Sequence, residues 1–385
     1  MDFDVFIIGG GLVGASLAAA LKSSGLNIGL LESQFDSASN SGWDSRIYAI
    51  SPGNAAFLAE CGAWQHLDLS RVQPVTAMRV FGDEGAELDF SAYQIGAPEL
   101  NFILENRLLQ HALWQELRLQ ENLTLFNPAR CTGLAWHDEY AALTLEDGRE
   151  LRAKLIVGAD GRDSWVRQQA GISAAPALYQ QHGVVANFTV DKPHLGTAFQ
   201  WFQPDGILAL LPLPQQMVSM VWSVTPDMSA ALLALPHEEL CARVAAASHY
   251  TLGELQLVTP PAAFPLRMLN LPRIVAPRLA LVGDAAHNVH PLAGQGVNLG
   301  FRDARELARV LQQRGAQADC GDAHLLRRYD RARREDIVSM QLTTYTLKHL
   351  FNNANPLLRN LRNLGLSFTN RLVPLKKLLA RHALS

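Results

Sequence analysis

The sequence predicts an α/β fold in which a parallel, glycine-looped sheet domain is interrupted by a second β-sheet domain and followed by a helical C-terminal region. Three observations predict it. An apolar stretch, Phe3 to Ile8, breaks at Gly9-Gly10-Gly11 and resumes as a helix and a second strand. A strand-like, aromatic block runs from Gly183 to Trp222. From Val282 to Asn298, a polar loop and a glycine-opened helix directly follow another apolar strand.

Taken in order, Phe3 to Ile8 reads as a buried strand, and Leu12, Leu17, Ala20 and Leu21 supply the helical pattern after it. A second strand, Ile28 to Leu31, ends in Glu32 and completes a βαβ unit. Its glycines have separate jobs. Gly9 permits the tight turn, Gly11 lets backbone N–H groups approach a pyrophosphate, and Gly14 lets the helix pack closely on the strand. The helix N-terminus then faces the phosphates. Glu32 lies roughly 20 residues on, where an acid accepts from a ribose 2′-hydroxyl and would repel a 2′-phosphate. Strand, glycines, helix, second strand and acid fall in order, which makes this a Rossmann-type dinucleotide site.

Further along, Met78 to Phe81 and Ala86 to Ser91 flank Gly82-Asp-Glu-Gly85 as a hairpin, and Ala141 to Glu146 and Arg149 to Val157 flank Asp147-Gly148 as another. Asn106 to Leu119 is a helix between them. The strand Leu155 to Val157 leads into Gly158-Ala-Asp160-Gly161 and a helix from about Ser164. Phe188, Phe199, Trp201, Phe202 and Val218 to Trp222 belong to a second sheet, and Leu279 to Val282 returns to the buried-strand pattern. The expected division is a discontinuous cofactor domain (1–72, 101–178 and 266–335), a substrate domain (73–100 and 179–265) and a helical region (336–385).

Composition narrows the function. A chain of 385 residues, 48% hydrophobic, builds two or three cored domains. A net charge of −3 argues against nucleic acid as the main partner. Cys61, Cys131, Cys241 and Cys320 are far apart and contain no Cys-x-x-Cys, so neither a disulfide framework nor a zinc site is suggested. His287 and His290 have no carboxylate at ligand spacing, and no metal is expected. There is no secretory signal pattern, and no apolar run reaches the ~18 residues needed to span a bilayer. The expected location is cytoplasmic, or peripheral at the inner face of the membrane.

Gly9-x-Gly11-x-x-Gly14, Gly158-Ala-Asp160-Gly161 and Gly283-Asp284 occur in the order and approximate spacing of the class A flavoprotein monooxygenases, which the chain resembles over nearly its whole length. That resemblance implies a para-hydroxybenzoate hydroxylase type of fold: a Rossmann-type FAD-binding domain interrupted by a β-sheet substrate domain. Asp44-Ser-Arg46-Ile-Tyr-Ala-Ile-Ser51, the Asn106-Arg107 segment and His287-x-x-His-Pro291-Leu-Ala-Gly294-Gln295-Gly296-Val297-Asn298-Leu-Gly300 resemble the ubiquinone-biosynthesis hydroxylases. The resemblance implies Glu32 at the adenosine ribose, Arg107 near the pyrophosphate and Asp284 at the ribityl chain. It also implies Pro291 and Gly294 to Asn298 bordering the isoalloxazine ring, and Arg46 and Asp160 at positions linked to flavin and nicotinamide handling. A helix opening near Gly296 would aim its positive end at the flavin N1–C2=O edge. The implied activity is insertion of one oxygen atom from O2 into a polyprenylated phenol, with FAD as cofactor and NADPH or NADH as electron donor.

Plainer readings stand beside these. Gly294-x-Gly296-x-x-x-Gly300 follows a Pro-containing loop rather than a strand and is rejected as a second nucleotide loop. Asp160 and Asp284 also suit turn or N-cap positions, and Arg46 and Arg107 suit surface ion pairs. The aromatic block suits a sheet core, with some side chains facing a pocket. His182, Tyr179 and backbone carbonyls are all candidates for helping to ionise a phenol. From Ile337 to Ser385 there is no Asp or Glu, while Lys348, Arg359, Arg362, Arg371, Lys376, Lys377 and Arg381 alternate with leucines. Such helices pack on the cofactor domain or meet a membrane surface, a lipid-carrier protein or subunits of a ubiquinone-biosynthesis complex. The ending Ala380-Arg-His-Ala-Leu-Ser385 departs from the Ala-x-Gly-like ending common in the family. Two alternatives are the same chemistry on a small soluble phenol, and a flavoprotein that scaffolds a biosynthetic complex. A flavin halogenase is disfavoured by the absence of Trp-x-Trp-x-Ile-Pro, and a prenyl reductase would not consume oxygen.

Overall fold

A computed structural model describes residues 1–34, 42–82, 86–173, 177–204, 206–288, 295–315 and 318–351. The first half contains β1 (Phe3–Ile8), α1 (Leu12–Ala20), β2 (Ile28–Leu31), β3 (Ile47–Ile50), α2 (Pro52–Glu60), β4 (Gln73–Val75), β5 (Ala77–Phe81), β6 (Glu87–Ser91), α3 (Ala92–Ile95), β7 (Asn101–Glu105) and α4 (Asn106–Leu117). Next come β8 (Leu123–Phe126), β9 (Cys131–Trp136), β10 (Ala141–Leu145), β11 (Glu150–Gly158), α5 (Trp165–Gln169), β12 (Ala177–Val190), β13 (Thr197–Gln203), β14 (Gly206–Leu213) and β15 (Met217–Val224). The chain continues with α6 (Pro226–Ala234), α7 (His237–Ala247), β16 (Leu255–Leu257), β17 (Ala262–Met268), β18 (Val275–Ala276), β19 (Leu279–Leu281), α8 (Gln295–Gln312) and α9 (Ala323–Phe351).

One sheet has the order β18-β19-β11-β1-β2-β8, with β10 and β9 added beside β11. Strand β1 pairs in parallel with both neighbours, and β11 pairs in parallel with β19. Both faces of β1 are covered, which is why its sequence is apolar at every position but Asp4, with five of six residues buried. The register places Ile8 beside Leu31 and Gly158, and Gly158 beside Leu281. The loops after β2, β1, β11 and β19 therefore leave from one carboxyl edge, the place where open parallel sheets bind ligands.

A second sheet has the order β16-β12-β15-β14-β13-β5-β6, with β17 on β12. The β5–β6 hairpin, far away in sequence, joins it through parallel pairing of β5 with β13. Phe188, Phe199, Trp201 and Trp222 form its core with Leu232 of α6 and Leu240 and Val244 of α7. These four side chains are buried rather than open to a pocket, while Phe202 packs in a separate cluster with Val80, Leu88 and Ile207. A three-stranded sheet, β3-β7-β4, was not foreseen from the sequence. Its Ala49, Val75 and Ile103 pack with Ala198, Leu213 and Met217 of the second sheet. Short strands separated by more than 20 residues carry no local pattern that reveals such pairing. The helix expected from Ser164 is only five residues long, with Ser164 as its N-cap. Helix α9 begins at Ala323, and 352–385 lie outside the described residues. No described helix is long and apolar enough to cross a membrane.

Helices α8 and α9 are joined through a buried carboxylate. Asp303 accepts from Gly283 N (2.9 Å) and pairs with His287 Nε2 (2.6 Å) and Arg333 Nε (2.7 Å). Burial by itself would raise the Asp303 pKa, but the facing His287 and Arg333 reverse this and hold it below the usual carboxylate range. Asp336 is lowered in the same way, burial being outweighed by Arg333 and Arg302. Because the folded values lie below the unfolded value of about 4, this stabilisation is complete above it and is lost as the pH falls through the folded values. Asp303→Asn, which breaks a buried ion pair, should cost about 3–5 kcal/mol at neutral pH. Thermal unfolding against pH should show the wild type losing stability on acidification more steeply than the variant. Parallel curves would show that Asp303 is not the source of the acid sensitivity.

Candidate functional site

At the end of β1 the backbone leaves no room for side chains. Gly9 has φ +109°, and a Cβ there would lie 2.4 Å from Ala159 O. A Cβ on Gly14 would lie 1.9 Å from Gly9 O, so the glycine brings α1 down onto the turn. Gly11 is different: its φ is −67°, and a Cβ there would meet nothing within 4 Å. It is the N-cap of α1, with no side-chain cap and no acid in the first turn. The helix thus presents its positive end to open space, as an anion cradle requires.

Glu32 lies at the end of β2, half-buried. One carboxylate oxygen accepts from Gly10 N at 2.8 Å, and the other accepts from Gln34 N at 2.9 Å. These bonds orient it and leave acceptor capacity, since a carboxylate offers about four lone-pair sites. Gly10 was given no role from the sequence, although a side chain there would be crowded as at Gly9. A Cβ there would meet Trp114 at 2.7 Å, and its carbonyl accepts from Trp114 Nε1 at 2.9 Å. The run of three glycines was the available sign.

On the next loops, Asp160 is committed to local structure. Its carboxylate accepts from Ser164 Oγ (2.5 Å) and Val166 N (3.0 Å), anchoring the start of α5. Gly161 (φ +84°) makes the turn, and a Cβ there would face open space. Gly283 (φ +60°) donates to Asp303, while the adjacent Asp284 is exposed. Cβ atoms on Gly283 and Gly300 would lie 3.1 and 2.6 Å from Val13, so these glycines seat α8 against α1.

Arg46, Tyr48 and Asp284 form an electrostatic group. Arg46 Nε donates to Tyr48 Oη at 2.8 Å. Burial raises the Tyr48 pKa despite Arg46, and the Arg46 pKa is raised by Tyr48 first, with Asp284 and Asp44 contributing. Asp44 organises the segment. Its carboxylate accepts from Arg46 N (2.9 Å) and Arg107 N (3.3 Å), and Arg107 Nη2 donates to Gly42 O at 3.1 Å. The carbonyl of Asp44 accepts from Asn187 Nδ2 of β12 at 2.8 Å, tying the second sheet to this loop. Tyr48 and Asp44 lie in the quoted Asp44 to Ser51 motif but were given no role from the sequence. The alternation of Arg46 with Tyr48 on one side of a strand was the clue.

Asn298 is fully buried. Its Oδ1 accepts from Ser51 N and Asn54 Nδ2, both at 2.9 Å, and its Nδ2 donates to Ala49 O at 2.7 Å. It pins the opening turn of α8 to the start of α2. Gly296 and Val297, half-buried, precede it, and a Cβ on Gly296 would meet nothing within 4 Å. Gln295 begins α8. Its side chain, Pro291, Gly294, His290 and the side chain of Tyr179 lie outside what is described. His182 stands on β12 opposite Val224 and Pro265. His287 is engaged by Asp303.

An uncapped helix end over open space and an oriented acid at the neighbouring strand end fit a dinucleotide such as FAD. Protein comparisons agree. A family model described as an FAD binding domain matches residues 2–344. Ubiquinone hydroxylase UbiL of Rhodospirillum rubrum is 38% identical over 384 residues, 99% of this chain and 89% of that protein. The 3-demethoxyubiquinol 3-hydroxylase of Escherichia coli is 36% identical over 386 residues, 99% of this chain and 98% of that protein. Among solved structures, PqsL of P. aeruginosa, a probable FAD-dependent monooxygenase, has a TM-score of 0.80 at 23% identity, covering 94% of this chain and 99% of that one. This last likeness is one of fold.

Two glycine substitutions separate cofactor space from protein packing. Gly11→Ala should leave the unfolding temperature of the apoprotein within error while sharply reducing FAD retention, because the methyl group enters space that only the ligand would fill. Gly14→Ala should destabilise the apoprotein itself by about 1–3 kcal/mol through overpacking against Gly9. Equal FAD binding by Gly11→Ala and wild type would remove the pyrophosphate from this turn.

Proposed function

Because the chain belongs to the FAD-binding-domain family and, within it, to the ubiquinone-biosynthesis hydroxylases, we propose that it hydroxylates a polyprenylated phenol, using O2 and a reduced nicotinamide, NADPH or NADH. The observation that carries this reading is the end-to-end relationship to two ubiquinone hydroxylases, 38% and 36% identical over 99% of the chain. When bound, FAD takes reducing equivalents from the nicotinamide and activates O2 for transfer of one oxygen atom to the ring.

The chain's own residues bind and position. The uncapped first turn of α1 and the room at Gly11 receive the pyrophosphate. Glu32, held by the N–H groups of Gly10 and Gln34, accepts from a ribose hydroxyl. Arg46 and Arg107, both ordered by Asp44, bring positive charge to the same edge, and Asp284 accepts from a hydroxyl of the ribityl chain. The positive end of α8, at Gln295, Gly296 and Val297, favours negative charge on the ring system. The second sheet orients the phenol and excludes water, so that oxygen transfer outcompetes wasteful decay.

The lipid character of the substrate has support from the C-terminal region. Helix α9 exposes Val338 and Leu342, one turn apart, and the chain from Ile337 onward has no acidic residue. We read this end as the part that meets a membrane surface at the cytoplasmic face, a lipid carrier or subunits of a biosynthetic complex, since a prenyl tail gains ~0.8 kcal/mol per CH₂ by staying in lipid.

FAD-loaded protein supplied with NADPH should consume oxygen and convert prenylated phenols to products heavier by one oxygen atom, as read by mass detection. Asp284→Ala should remain folded and lower kcat/KM by about tenfold or more, the loss of one interaction with the bound flavin. Equal turnover of unprenylated phenols would replace the lipid substrate by a small soluble one. Absence of oxygen transfer to either set by folded, FAD-loaded protein would rule out the hydroxylase reading.

A further inference from the structure

The turn that joins β1 to α1 has three glycines in a row, Gly9-Gly10-Gly11, and with them unusual backbone freedom. The peptide unit between Gly10 and Gly11 decides what the turn presents to a ligand. In a trans peptide the carbonyl and the N–H point in opposite directions. With the Gly11 N–H turned to the space before α1, the turn offers a donor to an anion. Flipped over, the same unit would offer the Gly10 carbonyl oxygen, which repels one. The flip carries φ of Gly11 from its observed −67° to the positive side. A side chain on Gly11 would resist that change, but glycine accepts both orientations. The glycines that make the turn possible therefore leave its key peptide without a lock of its own.

Helix α4 supplies one. Trp114, buried on that helix, donates from Nε1 to the Gly10 carbonyl at 2.9 Å. The Gly11 N–H of the same peptide unit consequently points away from the indole, and it has no acceptor among the described residues. The preceding unit is held separately, Gly10 N donating to Glu32 Oε2 at 2.8 Å. The indole also occupies the place of a Gly10 side chain, 2.7 Å from where a Cβ would stand, so the middle glycine is needed to admit the lock. Trp114 is itself held in place through its helix. Arg107, about two turns earlier on the same side of α4, has its backbone N–H taken by Asp44. Just beyond α4, Gln120 Nε2 donates to Ala18 O at 3.0 Å. The α4 segment thus grips α1 just before its start and again near its end.

We propose that Trp114 is a positioning residue for the cofactor's pyrophosphate: its indole N–H locks the Gly10–Gly11 peptide in the orientation that gives the Gly11 N–H to a phosphate oxygen. Trp114 brings no charge and acts through the turn, from the side opposite the free N–H. Its contribution is to fix beforehand a choice that a bound dinucleotide would otherwise have to impose, and ordering done in advance is not charged against affinity. The inference rests on the reading of the α1 turn as the FAD pyrophosphate site and is independent of which phenol is hydroxylated.

The test titrates full-length apoprotein with FAD, following flavin fluorescence, and records the unfolding temperature of the same samples. Trp114→Phe keeps an aromatic ring and removes the N–H. Benzothienylalanine, placed at position 114 by nonsense suppression, keeps the bicyclic shape and puts sulfur in place of the N–H. Trp222→Phe makes the same exchange in the core of the second sheet, away from the turn. Both changes at position 114 should raise the Kd for FAD about tenfold, the worth of one hydrogen bond, while Trp222→Phe leaves it unchanged. With FAD saturating, Trp114→Phe should consume oxygen with NADPH at a kcat within about twofold of wild type, because the loss lies in cofactor affinity. Wild-type affinity in Trp114→Phe, or equal weakening by Trp114→Phe and Trp222→Phe, overturns the proposal. If Trp114→Phe does not fold, unaltered FAD binding by the benzothienylalanine protein overturns it as well. A wild type that takes up no FAD removes the dinucleotide reading and the lock with it, whereas equal FAD binding by wild type and both position-114 proteins removes the lock alone.

Discussion

The close approach of backbone to backbone at the carboxyl ends of β1, β11 and β19 is the constraint on which the remainder of the molecule depends. A Cβ on Gly14 would collide with the carbonyl of Gly9, and Cβ atoms on Gly283 and Gly300 would crowd Val13. These contacts hold α1 and α8 together, so the first glycine turn and the start of α8, nearly 300 residues away in sequence, share one small region. A side chain at any of these points would separate the helices before it met a cofactor. The glycines at these contacts thus serve packing first, whereas Gly11, like Gly161 and Gly296, has open space where a side chain would stand.

A second fixture holds the same region from behind. Asp303 binds the N–H of Gly283, His287 and Arg333 at once, so the turn after β19 and the helices α8 and α9 are tied to one carboxylate. Replacing such a cluster by apolar side chains can be neutral or stabilising, so its presence is not explained by stability alone. Its three bonds do select a single arrangement of the Gly283–Asp284 turn, which apolar packing, being non-directional, would specify less sharply. Asn298 does for the opening of α8 what Asp303 does for the turn, through Ser51, Asn54 and Ala49.

Much of the cofactor half was legible in the sequence because its logic is local. The burial of β1, the glycine spacing, the acid at the end of β2 and the Asp147-Gly148 hairpin each express a constraint within about 30 residues. What escaped notice joins distant positions: the β3-β7-β4 sheet, the Asn187–Asp44 bond and the Asn298 cluster. Asp160 and Asn298 show a related limit. Both belong to motifs associated with a flavin, yet their side chains are occupied by protein donors and acceptors, so in this structure they shape loops around the site. A motif records that a residue type is required at a position; whether it is required by the ligand or by the loop that meets the ligand depends on hydrogen bonds that spacing does not encode.

The division of labour between the two large sheets follows from how they are built. The parallel sheet offers its strand ends, where backbone groups are free and glycines are tolerated, and so it suits a phosphate-bearing cofactor. The antiparallel sheet is built to pack on its faces. One face of that sheet is consumed by α6 and α7 and holds Phe188, Phe199, Trp201 and Trp222. The opposite face packs its Ala198, Leu213 and Met217 on the three-stranded sheet, and from β12 Asn187 reaches the carbonyl of Asp44. Asp44 in turn orders the backbone of both Arg46 and Arg107. A displacement of β12 would therefore be passed through Asn187 to the loop that orders the two arginines, alongside the direct packing of β3 on the second sheet.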